Sequence, residues 1–219
     1  MARTASYGTC ELCGKRTSKA AMGRHLASCV PAHDSAGGKP ERLLHLRVQG
    51  AWSPMYWLDV EVGARRSLAQ LDAFLRDIWL ECCGHLSAFE IGGVRYSVAP
   101  DDEWLHERGM EARIGNVLEP GVSFRHEYDF GSTTELKLSV KGEREGRAAG
   151  GPVRLLARNE APGWTCDMCG APATLIDPEA SYEGGAFYCD EHAGEATEED
   201  LLLPVVNSPR TGVCAYGTT

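Results

Sequence analysis

Alternation of apolar and polar residues is clearest in the middle of the chain. Residues 123–140 alternate, break at Gly131 and then alternate again. This pattern predicts a β-hairpin with one face buried and the other exposed to water. Shorter runs of the same pattern predict strands at residues 44–48, 55–62 and 153–159. Together these segments indicate a largely antiparallel sheet.

One helix is predicted between the second strand and the hairpin. Ser67 and Gln70 have the spacing of a capping box, in which the side chains and backbone at a helix start satisfy one another. From there an apolar stripe with helical spacing runs to Cys82, and Gly84 ends the helix. The sequence therefore predicts an α+β fold, a mainly antiparallel sheet with one principal packed helix.

Four side chains of the metal-ligand type lie near the amino terminus: Cys10, Cys13, His25 and Cys29. The two cysteines suit a tight turn closed by Gly14, and the second pair would lie one turn apart on a helix predicted over residues 18–28. Thiolate and imidazole are the ligands that zinc prefers, so this spacing predicts a Cys-Cys-His-Cys zinc finger. His33 is a possible competing ligand, with a place in the following linker as the alternative.

A second set of four lies near the carboxy terminus: Cys166, Cys169, Cys189 and His192. Two chelating pairs with two-residue spacing are typical of a zinc ribbon, and Phe187 and Tyr188 predict the short strand that such ribbons use. Because protein side chains fill all four coordination positions, no position is left for a water nucleophile. The two sets therefore predict two structural Zn ions as cofactors.

These elements divide the chain into four parts. Residues 1–30 form the predicted zinc finger, and residues 31–42 form a linker rich in proline, glycine and small side chains. Residues 43–160 form the α+β domain, and residues 161–219 form a zinc-ribbon-like carboxy-terminal module and tail. The predicted architecture is thus a central α+β domain flanked by a small zinc finger and a zinc-ribbon-like knuckle.

The net charge of −9 is unevenly distributed. Residues 1–47 contain eight Lys/Arg and three Asp/Glu, whereas residues 160–219 contain one arginine and eleven acidic residues. Only the amino-terminal part would attract a polyanion, and an acidic chain argues against non-specific coating of DNA. Four basic residues are the candidate phosphate contacts: Lys15, Arg16, Lys19 and Arg24. The alternative is a solvated face on a structural or protein-binding finger.

The remaining cysteines bear on the compartment and on reactivity. The sequence contains no signal-peptide pattern and no run of about 18–20 apolar residues, which predicts a cytoplasmic protein without a membrane partner. Nine cysteines in a reducing compartment indicate metal ligands rather than disulfides. Cys82 and Cys83 are adjacent, too close for the usual chelate spacing, and are expected to be unreactive thiols. The same is expected of Cys214, although its turn with Arg210 is the first place to look for unexpected chemistry.

The central part of the chain carries several short motifs: Leu68 to Leu71 at the helix start, His85-Leu86 followed by Phe89, Ile91-Gly92-Gly93 with Tyr96, Pro120-Gly121, and Glu127-Tyr128-Asp129-Phe130-Gly131. Together they resemble the plasmid Ri ORF-3-like family, whose members include passenger proteins of insertion elements. The resemblance covers roughly residues 43–141, and the Tyr-Asp-Phe-Gly turn is its most specific element. It implies an α+β fold and an association with plasmid or mobile-element biology, and it supplies no established activity.

Two classes of function are compatible with these patterns. The first is a zinc-binding, non-catalytic module that binds DNA or RNA through the finger, or binds a protein partner. The second is an enzyme that acts through the central sheet with Asp129 and His126, or through Cys214. The sequence has no phosphate-binding loop, nucleophile elbow or three-ligand metal motif, which favours the first class. Asp129 is equally well explained as an acceptor for the amides of the turn it precedes.

Overall fold

The structure of the protein is a computed structural model that describes residues 6–101, 106–147, 150–179, 187–196 and 202–218. Its elements in chain order are β1 (Tyr7–Cys10), β2 (Arg16–Ser18), α1 (Lys19–Ala32), β3 (Glu41–Gly50), β4 (Trp57–Gly63), α2 (Leu68–Leu75), a π-helical turn (Arg76–Leu80), β5 (Ser87–Ile91), β6 (Val94–Ser97), β7 (Arg108–Gly109), α3 (Ile114–Val117), β8 (Ser123–Tyr128), β9 (Thr134–Gly146), β10 (Val153–Asn159), β11 (Leu175–Ile176), β12 (Phe187–Tyr188), α4 (Ala193–Ala196) and β13 (Leu203–Pro204).

Ten of these strands form one sheet, in the order β2-β1-β10-β4-β3-β9-β8-β5-β6-β7. Neighbouring strands are antiparallel, except that β6 and β7 are parallel. The longest pairing joins β3 to β9, from Glu41 opposite Gly146 to Gly50 opposite Leu136, with a register shift after His45. The predicted α+β fold with a mainly antiparallel sheet is confirmed.

The hairpin predicted for residues 123–140 consists of β8 and β9, with Tyr128 opposite Thr134 beside the turn. Asp129 opens the turn with a φ of 65°, a left-handed conformation that aspartate tolerates because its short side chain bonds the local backbone. Its Oδ1 accepts hydrogen bonds from the N–H groups of Gly131 (3.1 Å) and Ser132 (3.2 Å). The role of Asp129 as an acceptor for turn amides is therefore confirmed.

The principal helix buries its apolar stripe in the core that it forms with the sheet. Leu68, Leu71 and Leu75 are spaced three and four residues apart and are fully buried. The predicted capping box is present: Ser67 Oγ accepts from the N–H of Gln70, and Gln70 Oε1 accepts from the N–H of Ser67. The cap and the apolar stripe thus agree on where this helix begins.

The end of α2 differs from the prediction, because the chain changes to a π-helical turn before it reaches Gly84. In this turn the N–H of Glu81 donates to the carbonyl of Arg76 at 2.8 Å, a bond across five residues. Trp79 lies fully buried in this turn, and its Nε1 donates to the carbonyl of Asn207 at 3.1 Å. The π-helical turn thus contacts the distant carboxy-terminal segment. The helical spacing of apolar residues in the sequence does not predict this contact.

The finger strands lie in the same sheet as the central strands. β1 pairs with β10, and a Cβ at Gly8 would lie 2.6 Å from the ring of Trp57, so only glycine fits this close approach. α1 packs on the same strands, with Met22 and Leu26 buried in one apolar cluster with Trp57 and Leu156. The predicted boundary at residues 31–42 stays a prediction.

The carboxy-terminal part forms a second, small sheet in the order β12-β11-β13, with Leu175 opposite Tyr188 on one side and Pro204 on the other. The chain then returns to the principal helix, where Ser208 Oγ donates to the carbonyl of Trp79 at 2.7 Å. Within the described residues, no helix combines the length and the apolar character needed to cross a membrane.

Candidate metal centres

The finger cluster consists of Cys10, Cys13, His25 and Cys29. A tight turn after β1 carries the two cysteines, with Gly14 at a φ of 73° and its N–H donating to the carbonyl of Cys10 at 2.8 Å. His25 and Cys29 lie one turn apart on α1, which extends beyond the predicted residues 18–28 to Ala32. The tight turn and the helix that the ligand spacing predicts are therefore both present in the structure.

The four donor atoms of the finger cluster lie within 4.8 Å of one another. The Sγ atoms of Cys10 and Cys29 are 3.9 Å apart, and Cys13 Sγ is 3.4 Å from His25 Nε2. A tetrahedral zinc ion with bonds of about 2.3 Å to sulfur separates two thiolates by about 3.8 Å. The finger cluster therefore fits one tetrahedral zinc ion.

Protonation differs between the thiols of the finger cluster. The N–H of Lys15 donates to the sulfur of Cys13, and this lowers the pKa of the Cys13 thiol. Burial and the neighbouring thiols raise the pKa of Cys29 to about 12. Because zinc binds thiolate, occupation of this cluster would release the Cys29 proton.

His33, the possible competitor, makes a different contact. Its Nδ1 lies 2.9 Å from the carbonyl oxygen of Cys29 and 3.7 Å from the sulfur of the same residue. A carbonyl only accepts hydrogen bonds, so Nδ1 carries a proton and has no lone pair for a metal. His33 therefore binds the last turn of α1 rather than joining the four donors.

The knuckle cluster consists of Cys166, Cys169, Cys189 and His192. Gly170, at a φ of 74°, closes the first turn by donating its N–H to the carbonyl of Cys166 at 2.8 Å. The Sγ atoms of Cys169 and Cys189 are 3.8 Å apart, and His192 Nδ1 lies 3.8 Å from Cys166 Sγ and 3.2 Å from Cys189 Sγ. These separations again fit one tetrahedral zinc ion.

Backbone amides prepare the knuckle cluster for metal. Burial alone would raise the pKa of Cys166, but N–H groups, including those of Met168 and Cys169, donate to its sulfur and bring the pKa to about 6. This thiol is therefore largely ionised at neutral pH, which is the state that binds zinc. Beside the cluster, Trp164 and Phe187 stack with ring centroids 4.4 Å apart.

The junction cluster consists of Cys82, Cys83, His85 and Cys214, whose donor atoms also lie within 4.8 Å of one another. The sequence predicts unreactive thiols here, because Cys82 and Cys83 are adjacent and Cys214 has no other cysteine near it in the chain. Folding brings Cys214 Sγ to 3.6 Å from Cys83 Sγ and 3.9 Å from His85 Nε2. Whether these thiols are unreactive stays a prediction, but the sequence alone did not indicate that Cys214 lies beside Cys83 and His85.

A buried arginine lies against the junction cluster. Arg210 is fully buried and donates to Asp129 Oδ2 at 2.7 Å and to Cys82 Sγ at 3.4 Å. Burial would raise the pKa of Cys82, but the hydrogen bond and charge of Arg210, together with hydrogen bonds to Cys83 and Tyr128, outweigh burial and lower this pKa. His85 Nε2 lies 3.5 Å from Asp129 Oδ2. Asp129 of the Tyr-Asp-Phe-Gly turn thus contacts both Arg210 and the His85 ring of this cluster.

The four predicted nucleic-acid contacts fall into two pairs. Arg16 donates to both carboxylate oxygens of Glu160, with the Nη2–Oε2 distance at 2.9 Å. Lys19 Nζ donates to Gln49 Oε1 at 2.6 Å and also to a backbone carbonyl. Lys15 and Arg24 are exposed on the finger. Three of the four predicted residues are therefore exposed, and one of these three, Arg16, is paired with Glu160.

The residues considered for catalysis are bound to different partners. His126 is fully buried, with Nε2 2.7 Å from Asp72 Oδ1. Asp129 is held by Arg210 and by the turn amides described above. Cys214 belongs to the junction cluster. His126 and Asp129 thus have separate partners, whereas Cys214 Sγ lies 3.9 Å from His85 Nε2 in the junction cluster.

A groove of about 550 Å³ lies between α1 and the sheet. Leu26 and Val30 contribute an apolar wall. Its charged and titratable lining side chains are Lys19, His45, Arg47, Glu61, Lys141, Glu143 and Arg144. Below them, the fully buried Asp59 accepts from Arg47 Nη2 and lies against His45 Nε2, each at 2.7 Å. The groove is thus polar at its floor and mixed in charge.

No protein-family model and no curated protein matches this chain. Among solved structures, the chain is similar to the crystal structure of a protein of unknown function, MM3350, from Methanosarcina mazei Go1. The two are 16% identical, with a TM-score of 0.46 over 54% of this chain and 69% of that chain.

Proposed function

We propose that this is a zinc-binding protein in which two structural zinc ions, one in the finger cluster and one in the knuckle cluster, support a non-catalytic binding surface. The observation that carries the proposal is that each cluster gathers four protein donors within 4.8 Å. Four protein ligands close the coordination sphere, whereas a catalytic zinc ion keeps one position for water or substrate. Both ions would therefore stabilise structure rather than take part in bond making.

The proposed binding surface is the groove between α1 and the sheet. The zinc ligands His25 and Cys29 lie on α1, so zinc in the finger cluster would link this wall of the groove to the turn after β1. The lining combines apolar Leu26 with cationic Lys141 and anionic Glu143. A polypeptide segment that carries both charged and apolar side chains matches such a lining.

Nucleic acid is the second candidate partner, favoured by the exposure of Lys15 and Arg24 on the finger. Two phosphate contacts would give weak and strongly salt-dependent association. Arg16 and Lys19 are already bound to acceptors of this chain, which reduces the cationic surface available for DNA or RNA.

The biological setting that we propose is plasmid or mobile-element biology in the cytoplasm. It is supported by the motifs that resemble the plasmid Ri ORF-3-like family, of which the turn at Tyr128 to Gly131 is the most specific. The burial of His126 and the engagement of Asp129 weigh against the enzymatic alternative.

Zinc analysis of single variants tests the two structural ions. Cys13→Ser and Cys169→Ser should each lose about one zinc per chain relative to the unmodified protein, because each removes one of four ligands. Glu11→Ser is the matched control: it places a serine in the same turn and leaves all donors in place. Equal zinc content in all four proteins would contradict both sites.

Titration with DNA and RNA oligonucleotides at several salt concentrations separates the two partner classes. If phosphates are bound, the logarithm of the association constant falls with the logarithm of salt concentration, and Lys15→Ala with Arg24→Ala reduces the slope by about 2. Arg16→Ala is the control, since this side chain is paired with Glu160. The absence of binding at low salt would exclude nucleic acid and leave a protein partner.

A further inference from the structure

The junction cluster is built from two parts of the chain that are far apart in sequence. Cys82, Cys83 and His85 follow the π-helical turn, and Cys214 lies in the carboxy-terminal segment. The separation of Cys83 and Cys214 is 131 positions. No local motif therefore explains why three thiols and an imidazole meet here.

The donor separations in the junction cluster are those of a metal site. Cys82 Sγ and Cys83 Sγ are 3.6 Å apart, as are Cys83 Sγ and Cys214 Sγ, and His85 Nε2 lies 3.9 Å from Cys214 Sγ and 2.9 Å from Cys83 Sγ. The sulfur–sulfur distances resemble those of the finger and knuckle clusters and the separation of about 3.8 Å expected around tetrahedral zinc. We propose that Cys82, Cys83, His85 and Cys214 form a third metal centre, which binds a thiophilic divalent ion, Zn²⁺ in the first instance.

Adjacent cysteines can share one ion here because of the local backbone. Glu81 leaves the π-helical turn in an extended conformation with a ψ of 125°, and Gly84 follows at a φ of 79°. The chain therefore bends on both sides of Cys82 and Cys83, and their sulfurs lie on the same side. This bend lets two adjacent cysteines bind one ion without the usual two-residue spacing between ligands.

The charge of the surroundings suits an ion with three thiolates. Such a centre carries a net charge of −1, and the buried guanidinium of Arg210 donates to Cys82 Sγ at 3.4 Å. A buried cation needs anionic partners. The Cys82 thiolate would be one of them, and Asp129, whose Oδ2 lies 2.7 Å from Arg210 Nη2, is the other. Arg210 and Asp129 would thus tune and orient the ligands from outside the coordination sphere.

Exposure distinguishes the third centre from the other two. The finger and knuckle clusters each contain two buried cysteines, whereas Cys83 and Cys214 of the junction cluster are exposed and its other donors are half-buried. Water and chelators reach these donors directly. The ion in the junction cluster should therefore exchange faster than the ions in the other clusters.

Zinc stoichiometry of the full chain, purified under reducing conditions, tests this centre. The unmodified protein should hold about three zinc ions and Cys214→Ser about two. Ala215→Ser, which adds a hydroxyl to the neighbouring exposed residue, should keep about three. Cys83→Ser is a second variant of an exposed donor, and circular dichroism checks that each variant is folded.

Two further measurements assign the ligands. Loading with Co²⁺ should give a difference spectrum, unmodified protein minus Cys214→Ser, of a thiolate-rich tetrahedral ion, and Cys82→Ser should lose the same contribution. A metal-binding dye should withdraw metal in a fast and a slow phase, and the fast phase should be absent from Cys214→Ser.

Three results would overturn the proposal. One is equal metal content in the unmodified protein, Cys214→Ser and Cys83→Ser. Another is a Cys83–Cys214 disulfide in the reduced preparation, detected by mass spectrometry of the intact protein. The third is an unchanged cobalt spectrum in Cys82→Ser, which would exclude Cys82 as a ligand and with it the four-ligand centre. Because Cys13→Ser and Cys169→Ser report on the other clusters, the three sites succeed or fail separately.

Discussion

The finger and the knuckle have similar ligands but very different surroundings. The finger cluster lies on a shared apolar core, in which Met22, Leu26, Trp57 and Leu156 are buried between α1 and the main sheet. In the described part of the knuckle, the buried side chains are the ligands Cys166 and Cys189 with Ile176, Asp177 and Ala193. Similar ligand chemistry is thus combined with two different amounts of apolar packing.

This difference teaches that a zinc cluster need not have the same structural role each time it occurs. Where apolar packing and strand pairing already hold an element, as β10 holds β1, metal adds to an existing structure. Where little apolar surface is buried, the free energy of metal binding is most of the free energy of folding. The finger should therefore keep its docking without zinc, and the knuckle should not.

Removal of zinc should reveal the largest difference between the finger and the knuckle. Structural zinc contributes about 10–16 kcal/mol to the folding of isolated finger peptides, so chelation should unfold the knuckle locally. Backbone amides of Cys166 and Thr174 should then exchange rapidly with deuterium, while the N–H of Glu11, bonded to the carbonyl of Leu156 at 2.9 Å, stays protected. Rapid exchange at both places would show that the finger also depends on its metal.

Truncation of an apolar side chain should, in contrast, destabilise the protein more in the finger than in the knuckle. Leu26→Ala in α1 removes a side chain that is 1% exposed and should cost about 2–5 kcal/mol of stability through the lost apolar contacts and the cavity. Met168→Ala in the knuckle turn is the matched truncation of a side chain that is 58% exposed, and it should change stability by less than about 0.5 kcal/mol. Urea unfolding of both variants measures the difference, and similar losses would contradict it.

Sequence patterns predicted the parts of the molecule that local spacing determines. The strands, the capping box at Ser67 and the four-ligand sets of the finger and the knuckle follow from residues that lie close together in the chain. The hairpin turn at Asp129 followed from the same kind of local reasoning.

The parts that sequence patterns missed depend on tertiary contacts. The π-helical turn forms where Trp79 meets Asn207, and the junction cluster forms where Cys214 meets Cys83 and His85. The adjacent cysteines followed by a histidine were a signal, but the fourth donor could be found only after the carboxy-terminal segment had been placed against the helix end. The same holds for Arg210, whose burial beside Asp129 no spacing rule predicts.

Acid should weaken the docking of the finger through Asp59. This carboxylate accepts from Arg47, whose Nη1 also donates to the carbonyl of Lys19 at the start of α1. Burial would raise the pKa of Asp59, but hydrogen bonds from His45 and Arg47 outweigh burial, so the pKa lies below its usual value. A lowered folded-state pKa means that the stabilisation is present above the unfolded value of about 3.9 and is lost as pH falls through the folded value.

The pH dependence can be measured as a difference between two proteins. The loss of stability caused by Asp59→Asn should be largest near neutral pH and should shrink below pH of about 3.9. Comparison at the same pH cancels any metal release that both proteins share. Asp77→Asn removes an exposed carboxylate and leaves the Asp59 contacts intact, so it should keep the wild-type profile. A loss from Asp59→Asn that does not vary with pH would show that the charge of Asp59 is not what joins the finger to the sheet.

The smallest effect is expected from the ion pair between β2 of the finger and the residue after β10. Arg16 binds Glu160 with both side chains largely in water, 60% and 41% exposed, so solvent screens the attraction. Arg16→Ala should therefore leave the urea midpoint almost unchanged, and Glu160→Gln should behave alike. Hydrogen exchange at the N–H of Glu11 shows whether the loss of this ion pair loosens the contact between the finger and β10. If Arg16→Ala exposed that amide to rapid exchange, the finger would be held by a surface ion pair rather than by the core around Leu26 and Trp57, and its contrast with the knuckle would disappear.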